Sequence, residues 1–180
     1  MQNFTAFVVA MSAALSSATT VYAQSNPLPK ASDVLVKYGE VQGWTVYANK
    51  TRGDCLIVRS FGPGSVQMGV TADQTVGYLG VFTKLDIGLK TGTKSEIFVD
   101  IDGHLYNGVA TTTSGRLSGQ PKEGLSGGYI LTDNPAFKRD VAKKYTMIVF
   151  PRTKGAFTVD LKGTYKAMAM GRRCLAKSKM

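Results

Sequence analysis

Along most of this chain, short runs rich in Val, Ile, Thr, Tyr and Phe alternate with turns built on glycine. That rhythm is the sequence signal of an all-β fold, because β-branched and aromatic side chains suit a pleated surface and glycine suits the turns between strands. The clearest unit is Glu96–Ile101, Asp102-Gly103, His104–Ala110. Asp-Gly between two β-type runs marks a tight hairpin, since both turn residues need positive φ. Further strands are expected at Trp44–Ala48, Cys55–Ser60, Val66–Thr71, Tyr78–Phe82, Tyr129–Thr132, Tyr145–Phe150 and Ala156–Leu161. Lys50–Asp54, Phe61–Gly64 and Pro151–Gly155 read as turns, and Lys84–Thr93 as a loop. Val34–Tyr38 suits a short helix or a strand equally. Thr111–Gly128 holds five glycines and three serines and reads as a long loop, a kind that is usually functional or mobile.

Two helices interrupt the pattern. Asn134-Pro135 is a helix start, with Asn134 as N-cap and Pro135 in the first turn. Phe137 and Val141 then share a face, and Lys143 and Lys144 suit the negative end of the dipole. A last helix is expected from about Thr164 to Ala176. In it Ala167, Met170, Gly171 and Cys174 recur at helical spacing and face the core. The fold class is therefore mostly β, a β-sandwich-like or partly open barrel, with one or two short helices, the last one C-terminal.

The first 23 residues carry no charged side chain. An apolar stretch from Phe4 to Leu15 precedes a small polar segment, and Val21-Tyr22-Ala23 supplies a small-x-small cleavage signature. That is the layout of a secretory signal peptide cut after Ala23, although the segment before the apolar stretch lacks Lys and Arg. The apolar stretch is too short to span a bilayer. The expected organisation is a signal peptide at 1–23, a lead-in at 24–42 and one β-rich domain at 43–180. About 157 residues remain after cleavage, enough for one core. The expected location is the periplasm or the exterior, with no transmembrane segment. Two cysteines, Cys55 and Cys174, should pair in an oxidising compartment.

The net charge of +10 is unevenly distributed. From Lys138 to Met180 there are twelve basic residues against Asp140 and Asp160 alone, whereas Gln24–Phe137 is neutral. Such a field attracts anions. The candidate anion-binding residues are Lys162, Lys166, Arg172, Arg173 and Lys177. Suitable partners are an anionic envelope component, such as lipid head groups, lipopolysaccharide or cell-wall polymers, or an acidic protein. No specific nucleic-acid motif is present, and the competing reading of such a surface is simple solvation. Inhibition of a host lysozyme is disfavoured, because lysozymes are usually basic and two cationic partners repel.

Catalytic constellations do not assemble from the sequence. Gly124-Leu125-Ser126-Gly127-Gly128 matches the G-x-S-x-G of a nucleophile elbow. Ser126 then needs a base, but His104, the one histidine, precedes it and no helix follows. A serine hydrolase using Ser126 is the alternative function. Gly88-x-x-x-Gly92-Thr93-Lys94-Ser95 is one residue short of a phosphate-binding loop. Asp100, Asp102 and His104 would share a face on a continuous strand, but the turn at Asp102-Gly103 should separate them. Trp44 reads as a core or rim aromatic. Asn49-Lys50-Thr51 fits a glycosylation sequon. No cofactor, metal or catalytic residue is expected.

The order of Gly43-Trp44, Cys55, many short strands, and Phe157–Gly163 leading to Ala167 and Cys174 is similar to the invasion-associated locus B family of exported Gram-negative bacterial proteins. Members usually carry more cysteines and a Ser-Leu-x-Gly-Phe segment, where this chain has Asp160-Leu161-Lys162-Gly163-Thr164. The resemblance implies a β-sandwich-like fold in the periplasm or at the cell surface and a role in host interaction. It implies no catalytic residues. The expected function is that of an exported, non-enzymatic, envelope-associated β protein whose basic C-terminal surface meets an anionic partner.

Overall fold

A computed structural model describes residues 28–71, 75–115 and 124–178. The expected signal peptide lies outside the described residues. Among the described residues the fold is mostly β: ten antiparallel strands in one open sheet and two helices, the last C-terminal.

The strands are β1 (Leu35–Val41), β2 (Trp44–Asn49), β3 (Asp54–Phe61), β4 (Gly64–Val70), β5 (Gly77–Thr83), β6 (Lys94–Ile101), β7 (His104–Gly115), β8 (Leu125–Thr132), β9 (Thr146–Val149) and β10 (Phe157–Asp160). Helix α1 (Pro135–Lys143) follows β8, and α2 (Thr164–Ser178) follows β10. The order across the sheet is β1-β2-β3-β4-β5-β8-β7-β6-β9-β10. The first five strands form a meander. The chain then crosses over, and β6, β7 and β8 return so that β8 lies beside β5, the Greek-key connection. Strand β7 is shared: Lys94–Ile101 pairs with residues up to Thr111, while Thr112–Gly115 pairs with β8.

Hairpin chemistry explains much of this. Asp102 and Gly103 both have positive φ, +48° and +88°, and Ile101 faces His104 across the turn. Gln42 and Gly43 repeat that geometry between β1 and β2. The ambiguous stretch from Val34 is thereby resolved: Leu35–Val41 is a strand.

The long loop expected at Thr111–Gly128 is corrected. Thr111–Gly115 continues β7, Leu125–Gly128 opens β8, and residues 116–123 lie outside the described residues. Its glycines suit a loop, but Gly127 serves packing within β8. A Cβ on it would stand 1.9 Å from the Val81 carbonyl oxygen and 2.8 Å from Phe82. Glycine within a strand often marks such a close approach.

The main core lies between the sheet and its helices. It gathers Trp44, Val46, Ile57, Val66, Leu79 and Val81 with residues of β6, β9 and β10 and with Phe137, Val141, Ala167 and Cys174 of the helices. A smaller cluster of Leu56, Val58, Tyr78, Phe82, Leu125 and Tyr129 occupies the other face. Both helices start and dock as their sequences imply. Asn134 Oδ1 accepts from the amides of Ala136 and Phe137, capping α1. Gly163, at φ +86°, turns the chain from β10 into α2.

Cys55 on β3 and Cys174 on α2 lie at disulfide distance, with Cα atoms 6.2 Å apart and a sequence separation of 119. Gly171 lets the helix approach, since a Cβ there would stand 2.8 Å from Ile57 Cδ1. A second set of contacts brings the two ends of the sheet together. Trp44 Nε1 donates to the Lys162 carbonyl at 3.1 Å, and Arg59 Nη1 donates to the Asp160 and Lys162 carbonyls at 2.7 and 3.1 Å. The Phe61 and Phe157 rings meet beside them, 5.2 Å between centroids.

Two substitutions test this packing. Replacing both Cys55 and Cys174 by alanine should cost about 4–5 kcal/mol in urea unfolding, the loop-entropy value for a closure of this length. Gly171→Val should cost about 1–3 kcal/mol with the disulfide intact, as overpacked cores do.

Candidate functional site

Helix α2 is fixed by its buried face, by its first residue and by a covalent link. Ala167, Gly171 and Cys174 are buried, Thr164 Oγ1 donates to the Leu161 carbonyl, and the disulfide fixes the last turn. This orientation decides which basic residues share a surface. Lys166, Arg173 and Lys177 are exposed and lie seven and eleven residues apart. At about 100° per residue they fall within a stripe about 40° wide and about 16 Å long. Lys177 Nζ lies 5.7 Å from the Tyr38 ring centroid on β1, which steadies that end of the stripe. The helix contains no Asp or Glu.

The other two expected anion-binding residues stand apart from the stripe. Lys162 is exposed on the turn before α2, where its carbonyl accepts from Trp44 and Arg59. Arg172 is exposed on the opposite flank and faces a cleft. Adjacent sequence positions on a helix diverge by about 100°, so Arg172 and Arg173 serve different surfaces.

That cleft has a volume of about 280 Å3 and opens between α1, α2 and the sheet. Ile57, Met68 and Leu79 form its floor, Phe137 and Val141 one wall, and Met168 the other. Lys138 and Arg172 stand on its two helical walls. Sequence reasoning missed it. The periodicities of α1 and α2 each reveal an apolar face, but nothing in either reveals that the two faces leave a gap between them.

Sequence reasoning also missed a polar cluster on α1. Asp140 is buried, and its Oδ2 accepts from His104 Nδ1 at 2.7 Å and from the Tyr106 hydroxyl at 2.8 Å. Arg139 Nε donates to Oδ1 at 3.3 Å. The His104 hydrogen bond, then that of Tyr106, holds the Asp140 carboxyl down at about 2, against the opposing effect of burial. The cluster ties α1 to the start of β7. The only sequence hint was the isolation of Asp140 within a basic segment.

The remaining motifs separate. Ser126 pairs across the sheet with Ser114, ten residues along β7 from His104. At roughly 3.3 Å per residue, that is on the order of 30 Å along the strand, so His104 cannot serve as its base. The three residues of the apparent metal cluster point to different tasks. Asp100 Oδ1 accepts from the Gly103 amide, Asp102 accepts from the amides of Tyr145 and Thr146, and His104 binds Asp140. In the glycine loop, the amides of Gly88, Gly92 and Thr93 are spent on Asp86, Thr112 and Lys90, so these three do not cradle a phosphate. Trp44 is fully buried in the core. Asn49 of the sequon is buried too, donating to Asp33 and accepting from the amides of Thr51 and Arg52. Arg52 joins the same buried network through Asp54, 2.6 Å away, whose carboxyl burial pushes up.

The Asp140 cluster sets a pH dependence. A carboxyl titrating at about 2 in the fold and near 3.8 when free stabilises the fold fully above about pH 4 and loses that contribution as pH falls from 3.8 towards 2. In acid unfolding followed by circular dichroism, the wild type should therefore lose stability more steeply than Asp140→Asn in that window. Asp54, shifted upward, titrates in both proteins and cancels in the difference. Parallel curves would contradict this.

Among the described residues no helix is long and apolar enough to cross a membrane. Set against known proteins, the chain matches no family model, no curated relative and no solved structure.

Proposed function

We propose that this chain is an exported, non-enzymatic, envelope-associated β protein that binds an anionic partner through the outer stripe of α2. The observation that carries the reading is the alignment of Lys166, Arg173 and Lys177 on one exposed face of a helix without acidic residues. Each basic residue near an anionic surface contributes about 1 kcal/mol, so three aligned cations give useful binding where scattered ones do not. Lys162, exposed on the turn before the helix, adds a cation outside the stripe. The uncharged first 23 residues, with their apolar stretch Phe4–Leu15, and the cysteine pair at disulfide distance support export to the periplasm or beyond. The likeness to the invasion-associated locus B family supports the same setting and a role in host interaction.

The test uses the chain from Gln24 onward and vesicles of phosphatidylglycerol in phosphatidylcholine, with heparin as a second polyanion. Retention should fall with rising salt, because exposed charges are screened. Reversing all three residues, as K166E/R173E/K177E, should weaken vesicle binding roughly 100-fold at low salt. Unchanged binding by that variant would overturn the assignment of the stripe.

A further inference from the structure

We infer that the cleft between α1 and α2 binds a single-chain anionic amphiphile, a fatty-acid-type carboxylate whose alkyl chain lies on the sheet and whose head group sits between Lys138 and Arg172. The inference does not depend on the Lys166–Arg173–Lys177 stripe, which occupies another flank of α2.

Three observations carry it. The first is shape and size. The cleft is concave and its volume, about 280 Å3, lies just below the ~300–1,000 Å3 typical of small-molecule sites. That space suits one alkyl chain rather than the two of a phospholipid. A concave pocket of this kind takes a small molecule, whereas a protein partner or second copy needs an extended face of about 800 Å2 per partner.

The second is the lining. The floor of Ile57, Met68 and Leu79 and the walls of Phe137 and Met168 are apolar. Two of the five are methionines, whose unbranched side chains adjust to a flexible guest. Such a surface gains about 25 cal/mol per Å2 of apolar area that a guest removes from water.

The third is charge. Lys138 on α1 and Arg172 on α2 are both exposed and both line the cleft. Among the described residues no acidic side chain lines it, and neither cation has an ion-pair partner. Lys138 Cε lies 3.5 Å from where a Cβ on Gly77 would stand, so its stem follows the rim and leaves the ammonium at the mouth. Two cations on facing helices above an apolar floor match a carboxylate head with an alkyl tail. They disfavour a neutral or cationic amphiphile of the same length. The guanidinium of Arg172 can hold a carboxylate through two parallel hydrogen bonds.

The test titrates dodecanoate, below its micelle concentration, against dansylated undecanoate bound to the disulfide-intact chain from Gln24 onward. Displacement should be saturable, with one site per chain. Dodecanol and dodecyltrimethylammonium should compete at least about tenfold more weakly. K138E/R172E, which alters only exposed positions, should lose about tenfold or more in dodecanoate affinity. Val70→Trp, which fills the cleft from β4, should abolish binding with the circular dichroism spectrum retained. K166E/R173E/K177E should bind dodecanoate as the wild type does, so failure of the surface stripe and failure of the cleft are read separately. Absence of saturable binding by the wild type, equal affinity for dodecanol, or undiminished binding by K138E/R172E would each overturn the inference.

Discussion

The link between Cys55 and Cys174 is the constraint on which the arrangement of this molecule depends. Helix α2 is 15 residues long and half its surface is solvent-facing, so it would be marginal on its own. Docking gives it stability, and docking is set by two adjacent features. Gly171 removes the side chain that would hold the helix off Ile57, and the disulfide fixes the turn that follows. With that face committed to the sheet, Lys166, Arg173 and Lys177 have no place but solvent. Arg172 is directed to the cleft by the same commitment.

A second constraint governs the sheet. Its outer strands, β1 and β10, do not pair, yet its two ends meet through Trp44, Arg59 and the carbonyls of Asp160 and Lys162. A hydrogen bond from a charged donor is worth about 1.5–3 kcal/mol when well placed. The Arg59 guanidinium lies 5.6 Å from the Trp44 ring centroid, and the Phe61–Phe157 contact packs beside it. This clasp also places Gly163 and the start of α2 over β2 and β3. The basic surface, the cleft and the meeting of the sheet's ends are thus parts of one arrangement.

The local elements were legible in the sequence because their causes are local. Asp102-Gly103 makes a hairpin through its own φ preference, and Asn134-Pro135 starts a helix through its own hydrogen bonds. The spacing of Ala167, Gly171 and Cys174 marks a buried face without reference to what it is buried against. Features that depend on distant partners were not legible. Gly127 looks like a loop residue until Val81 and Phe82 are placed beside it. His104 and Asp140 lie 36 residues apart, and only the packing of α1 on β7 joins them. The five basic residues formed a single group in sequence, and helical geometry divides them into a stripe, a turn and a cleft wall. The cleft itself belongs to the space between two helices, which neither helix encodes alone.

The central claim is that a disulfide-pinned α2 presents its outer stripe as the binding face. The most direct measurement is an amide-resolved NMR titration of the disulfide-intact chain with anionic bicelles. Shifts and broadening should centre on Lys166, Arg173 and Lys177, with smaller effects at Lys162, and should vanish at high salt. Perturbations centred elsewhere, for instance on the Asp102-Gly103 hairpin, or an absence of perturbation at low salt, would contradict the account.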